Sequence, residues 1–177
     1  MTRTLLALAL AAAPGIALAA GGGSATPPKP TSTTTECKDG QIYNEDTQSC
    51  VMIQDSSLDA DKAYEAVREL AYAGRYSDAQ MILATMDQAD DRVQTYWGFT
   101  HRKMGNTDLA MAAYYGALAT NPANHLARSY MGQHYAEIGG TEMARAQLIE
   151  IHLRGGGETW AYQALEDAIK TGRGASY

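Results

Sequence analysis

The chain predicts an all-α fold of stacked helix pairs preceded by a small cross-linked hairpin, and three observations carry that expectation. Gly98, Gly105, Thr107 and Ala110 reappear 34 residues on as Gly132, Gly139, Thr141 and Ala144, and Tyr96 and Ala112 return as Tyr130 and Ala146 at the same offset. Small residues at fixed offsets mean repeated helix-on-helix contacts, and a period in this range marks a solenoid whose units bury their cores by stacking. From Leu58 onward, apolar residues recur at helical spacing and Gly or Pro separates the segments. Two cysteines, Cys37 and Cys50, stand just ahead of that region.

The N-terminal segment reads as an export signal over 1–19. Met1-Thr2-Arg3-Thr4 supplies a basic start, Leu5 to Ala13 a short apolar run, Pro14-Gly15 a break, and Ala17-Leu18-Ala19 a small-x-small cleavage site. Cleavage is expected after Ala19, with Ala20 the next choice. The apolar run is too short to span a bilayer, and no Cys at the cleavage site argues for lipid attachment. About 158 residues would remain, enough for one domain with its own core. Loss of Arg3 leaves 13 basic and 20 acidic side chains. An acidic exported chain is a poor candidate for nonspecific nucleic-acid binding.

Residues 20–35 are dominated by Gly, Pro, Ser and Thr. Such a stretch buries too little apolar surface to offset its ordering entropy, so a disordered linker is expected. Residues 36–54 follow. In an exported chain the Cys37/Cys50 pair reads as a disulfide. Asp39-Gly40 and Asn44-Glu45-Asp46 are turn formers, and Ile42-Tyr43 and Val51-Met52-Ile53 can pair as short strands. A redox or metal site lacks the companion spacing it would need.

The helices follow in order. The first is expected from about Leu58 to Ala73, capped by Ser57 and stopped by Gly74, with Ala63, Val67 and Leu70 inward. The second, Ser77 to Met86, buries Ala79, Ile82, Leu83 and Met86. The third, Asp91 to Met104, buries Val93, Trp97 and His101, and Gly105 supplies the left-handed residue that ends it. The fourth, Thr107 to Thr120, buries Ala110, Tyr114 and Ala117. Asn121-Pro122 reads as a cap followed by proline at the first helical position. The fifth runs to about Ile138 with Met131 and Tyr135 inward. The sixth starts near Thr141, buries Ala144, Leu148 and Ile151, and breaks at Gly155-Gly156-Gly157. The last, Thr159 to Thr171, carries Tyr162, Leu165 and Ile169.

Trp97-Gly98, His101, Gly105, Ala110, Tyr114, Ala117 and Pro122 together resemble the tetratricopeptide repeat (TPR). Met131-Gly132, Tyr135, Gly139 and Ala144 continue the pattern, with Gly156 where proline is usual. The preceding unit keeps Gly74, Tyr76 and Ala79 but has Val67 for a small residue, and its period to the next is 31. The resemblance implies a right-handed superhelical array of three helix pairs, 58–90, 91–124 and 125–158, within 58–158, then a capping helix over 159–173 and a tail, 174–177.

In that family the first helices of the pairs line a concave groove that binds peptides or proteins. Taking the face opposite the buried stripe, the groove positions here would be Asp61, Tyr64, Arg68 and Ala71, then Arg92, Thr95, Phe99, Arg102 and Lys103. Leu126, Ser129, Gln133 and Ala136 follow, then Trp160, Gln163, Asp167 and Lys170. This face carries five basic and two acidic residues within an acidic chain, and Tyr64, Phe99 and Trp160 are expected to be partly exposed. Aromatic anchors beside Arg suit a peptide bearing carboxylates. The family's carboxylate clamp of Asn and Lys is not found.

No His pair has zinc-helix spacing, and His101 reads as an interhelix residue. Neither a nucleophile elbow nor a phosphate loop is present, and Asp87, Asp90 and Asp91 suit a helix start. Neither a cofactor nor a metal is expected. The function expected is protein–protein interaction, as an adaptor or assembly factor in the periplasm or secreted. The alternative is an accessory subunit packed permanently into a larger envelope complex. An enzyme is not expected.

Overall fold

The computed structural model describes residues 27–55 and 59–175. The export signal, residues 20–26 of the expected linker, Ser57 and the last two residues lie outside them. The chain begins with one helical turn, α1 (Ser32–Thr35), and a hairpin of β1 (Ile42–Asn44) and β2 (Ser49–Val51). After a short 3-10 turn come α2 (Ala60–Tyr72), α3 (Tyr76–Leu83), α4 (Asp91–Lys103) and α5 (Thr107–Thr120). α6 (His125–Glu137), α7 (Thr141–Leu153) and α8 (Trp160–Thr171) complete the fold.

The strands are antiparallel, with Tyr43 opposite Cys50, and Cys37 and Cys50 form a disulfide. The side chain of Asn44 accepts from the amides of Asp46 and Thr47, so the Asx turn is made by the residues that suggested it. Ile42 enters the main core. Gly40, at φ +72°, sits against Met81 of α3, where a β carbon would come within 2.6 Å of the Met81 Cβ. The hairpin is thus seated on the helices rather than hanging from them.

The helices pack as pairs, α2 on α3, α4 on α5 and α6 on α7, with α8 against α6. Each pair turns through the same device. Gly74, Gly105 and Gly139 have φ +77°, +82° and +79°. After each, the next amide donates five residues back: Arg75 to Leu70, Asn106 to His101, Gly140 to Tyr135. This is the Schellman closure, which satisfies carbonyls left open at a helix end and needs a left-handed residue. The same closure ends α7 at Gly155, with the Gly156 amide donating to Ile151.

Three sequence expectations are corrected. Residues 31–35 are not a disordered linker. The backbone amides of Thr31 and Thr34 donate to Glu69 of α2 at 2.7 and 3.0 Å, and both threonine hydroxyls add to that carboxylate. Hydroxyl and amide groups, not apolar area, order this segment. Asn121 does not cap the start of the following helix. It is the C-terminal cap of α5, and Asn124 caps α6 by accepting from Ala127. Asn121, Pro122, Ala123 and Asn124 form the turn between them. Asp59, within the described residues, caps α2 by accepting from Lys62.

The third correction concerns the face expected to be open. Tyr64, Arg68, Ala71, Thr95, Phe99, Arg102, Ser129, Gln133 and Ala136 are buried. α4 and α6 lie between the second helices of the pairs on one side and α2 and α8 on the other, so they bury two stripes. Tyr64, Tyr72, Tyr96, Phe99, Tyr130 and Trp160 fill the space between them. Phe99 lies 4.7 Å from Tyr130 and 5.8 Å from Tyr72, centroid to centroid. Trp160 of α8 is 6.4 Å from both Tyr72 of α2 and Tyr130 of α6. α2 and α8 therefore meet across the inner layer. Trp97, expected inward, is half-buried and stacks on His101 at 5.5 Å.

Candidate functional site

The expected site residues separate into three groups. At the start of α4, Asp90 caps the helix and accepts from the Arg92 amide. The Arg92 guanidinium then reaches Asp90 at 2.9 Å and Asp61 at 3.0 Å, with its carbon 4.9 Å from the Tyr64 ring centre. Burial disfavours the Asp90 carboxylate, but the hydrogen bonds from Arg92 outweigh it and hold its pKa below the ordinary value. Arg68 bonds Glu65 at 2.6 Å. Thr95 donates to the Asp91 carbonyl and accepts from Asn124. Arg68, Arg92 and Thr95 are thus engaged within the fold, as buried polar groups require.

The middle group is Phe99 and the rings around it, which are core. The Tyr72 and Tyr130 hydroxyls meet at 2.8 Å. Burial pushes the Tyr64 and Tyr96 phenols well above their ordinary range, so both stay neutral at any ordinary pH.

The third group lies at the C-terminal ends of α4 and α6, where Arg102, Lys103 and Gln133 come together with Glu137. Arg102 Nη1 donates to both Glu137 oxygens, at 2.9 and 2.8 Å. Burial opposes the guanidinium charge, but Tyr114 and Glu137 outweigh it and raise its pKa. Gln133 is locked by donating to Ser129 at 3.1 Å, which leaves its Oε1 aimed outward. Lys103 is half-buried, and burial and the neighbouring Arg102 lower its pKa.

What these groups hold is peptide main chain. α8 ends at Gly172, φ +67°, and the chain folds back across α6 and α4. The Gly174 amide donates to Glu137 Oε1 and the Ala175 amide to Gln133 Oε1, each at 3.1 Å. Lys103 Nζ donates to the Ala175 carbonyl at 3.3 Å. Beside this segment an open cleft of about 750 Å³ runs along α8, lined by Trp160, Gln163, Asp167, Arg173 and Ala175, with Pro27 at its edge.

Glu137 was not among the expected site residues. Its signal was its place at the end of a helix two residues before a turn glycine, the place Lys103 holds one unit earlier. Among the described residues no three His, Cys, Asp or Glu side chains converge as a metal site would require, and no described helix is long and apolar enough to cross a membrane. No protein-family model matches the chain, and neither a curated protein nor a solved structure matches it.

Proposed function

We propose that this chain is a protein–protein interaction module of TPR-like architecture, an adaptor or assembly factor acting in the cell envelope after export. The observation that carries the reading is the strip of Lys103, Gln133 and Glu137, which engages extended peptide main chain through one donor and two acceptors. Main-chain hydrogen bonds provide affinity for extended segments, and adjoining pockets provide selectivity. The adjoining cleft offers Trp160 as an apolar anchor. Of the expected binding positions, Lys103 and Gln133 contact the returning main chain, whereas Tyr64, Thr95 and Phe99 are buried in the core. The disulfide suits an oxidising compartment.

The test is cross-linked capture from the native envelope with the full chain and with Lys103→Glu, which changes a half-buried charge without removing core. The variant is expected to lose at least most of the captured partner. Recovery of the same proteins at equal yield by both would end the strip reading.

A second reading, a permanently packed accessory subunit, is favoured by the opposite face. Met104, Leu109 and Tyr115 are 44%, 55% and 57% exposed, and their counterparts 34 residues on, Ile138, Met143 and Ile149, are 62%, 49% and 58% exposed. Exposed apolar positions that recur from one helix pair to the next would suit a surface covered permanently by a partner. A permanent subunit would self-associate when purified alone, and sedimentation at micromolar concentration separates the two readings.

A further inference from the structure

The polar strip is already filled. Its ligand is the chain's own Arg173–Ala175 segment, held by the three main-chain hydrogen bonds above rather than by side chains. The segment is also selected at one position. A β carbon built on Gly174 would fall 2.3 Å from Glu137 Oε1 and 3.0 Å from Arg102 Nη1. Both atoms belong to the Arg102–Glu137 pair, whose guanidinium is buried and whose two short bonds fix the carboxylate. The neighbour that would have to give is therefore a constrained ion pair, not the free end of a flexible side chain. Any larger residue at this position would have to displace that pair.

We propose that Lys103, Gln133 and Glu137 form a receptor for an extended peptide with glycine at the Gly174 position, and that Arg173–Ala175 fills it at rest, so that a partner segment must displace it. The inference rests on reading this strip as a peptide site and adds its occupant and its selectivity. The competition is steep because a tethered segment competes at an effective concentration on the order of millimolar. A partner must match the main-chain bonds and add contacts of its own, for which the cleft beside Trp160 is placed.

The experiment uses the full chain, ¹⁵N-labelled, as wild type and as Gly174→Val, with a peptide of residues 171–177 added up to millimolar concentration. Valine expels the tethered segment and touches nothing else in the helical core. Gly174→Val is expected to saturate at a peptide concentration at least tenfold lower than wild type, with shifts centred on Lys103, Gln133 and Glu137. The same peptide carrying valine for glycine is expected not to saturate either protein. Equal titrations of the two proteins, including no response from either, would overturn the proposal, as would shifts centred elsewhere or equal binding by the valine peptide. A second readout guards against an unfolded variant. In wild type, the Gly174 and Ala175 amides are expected to exchange at least tenfold more slowly than those of an unstructured peptide, and unprotected amides would equally overturn it. Failure here leaves the envelope-capture test standing, because Lys103→Glu asks only whether the strip meets a partner.

Discussion

Two glycines that look alike in the sequence do different work. Gly98 has ordinary helical backbone, and a β carbon there would lie 2.4 Å from the Tyr114 ring, which is fully buried. Gly98→Ala must therefore move a ring with nowhere to go, and such overpacking costs about 1–3 kcal/mol. Gly74 has nothing within 4 Å of the added carbon, but its φ is +77°. Gly74→Ala is strained through the backbone alone, by about 1–2 kcal/mol. Urea unfolding of the two variants checks both values. If Gly98→Ala were neutral, the close approach of α4 and α5 would not be a packing constraint. Gly132, the counterpart of Gly98, meets the Leu165 methyl carbons of α8 and Cβ of Gln147 instead. Leu148 occupies the place of Tyr114 in that unit, and the smaller side chain leaves room that α8 takes.

At the scale of elements, the helix bounds were legible because two independent signals coincide, apolar spacing within a segment and glycine at its end. α4, α5 and α8 lie within a residue of expectation. That the expected groove is filled was not legible, for a physical reason. A helix packed on two sides carries two stripes, and Arg68 and Arg102 look like solvent-facing charges until their partners are known. Glu137 lies 35 residues from Arg102, a separation no local pattern encodes. The docking of α1 was hidden in the same way, since composition weighs apolar content and Thr31 and Thr34 bind through polar atoms. The hairpin offers a direct measurement. The disulfide closes 13 residues of chain, worth about 3 kcal/mol in the chain-entropy model. Because Ile42 and Gly40 tie the hairpin to the helices, reduction, or Cys37→Ala with Cys50→Ala, is expected to lower the melting temperature of the helical signal itself. An unchanged helical melt would mean that the hairpin folds apart from the rest.

For the molecule as a whole, two histidines are expected to make stability fall with acid. Burial lowers the pKa of His101, and burial followed by the charge of Arg102 lowers that of His134, despite the opposing effect of Glu137. His101 faces Trp97 and Gln80, and His134 lies by Tyr135. Both therefore favour the neutral ring when folded. A folded pKa below the unfolded value of 6.5 means that stability is full above that pH and is lost as pH falls through the folded values. Between pH 7 and about 5, where most carboxylates remain ionised, the melting temperature is expected to fall. His134→Gln is expected to flatten that slope, and an unchanged slope would remove His134 from the account. The closure of the inner layer has an optical consequence as well. One of the two tryptophans in the chain, Trp160, stands where α8 meets α2 and α6, with the cleft and the returning chain at its edge. The other, Trp97, sits on the far side, bonded to Gln88. With Trp97 replaced by Phe, selective indole excitation reads a single tryptophan at the seam, a built-in dye whose colour and quenching report the surroundings of that seam without any label.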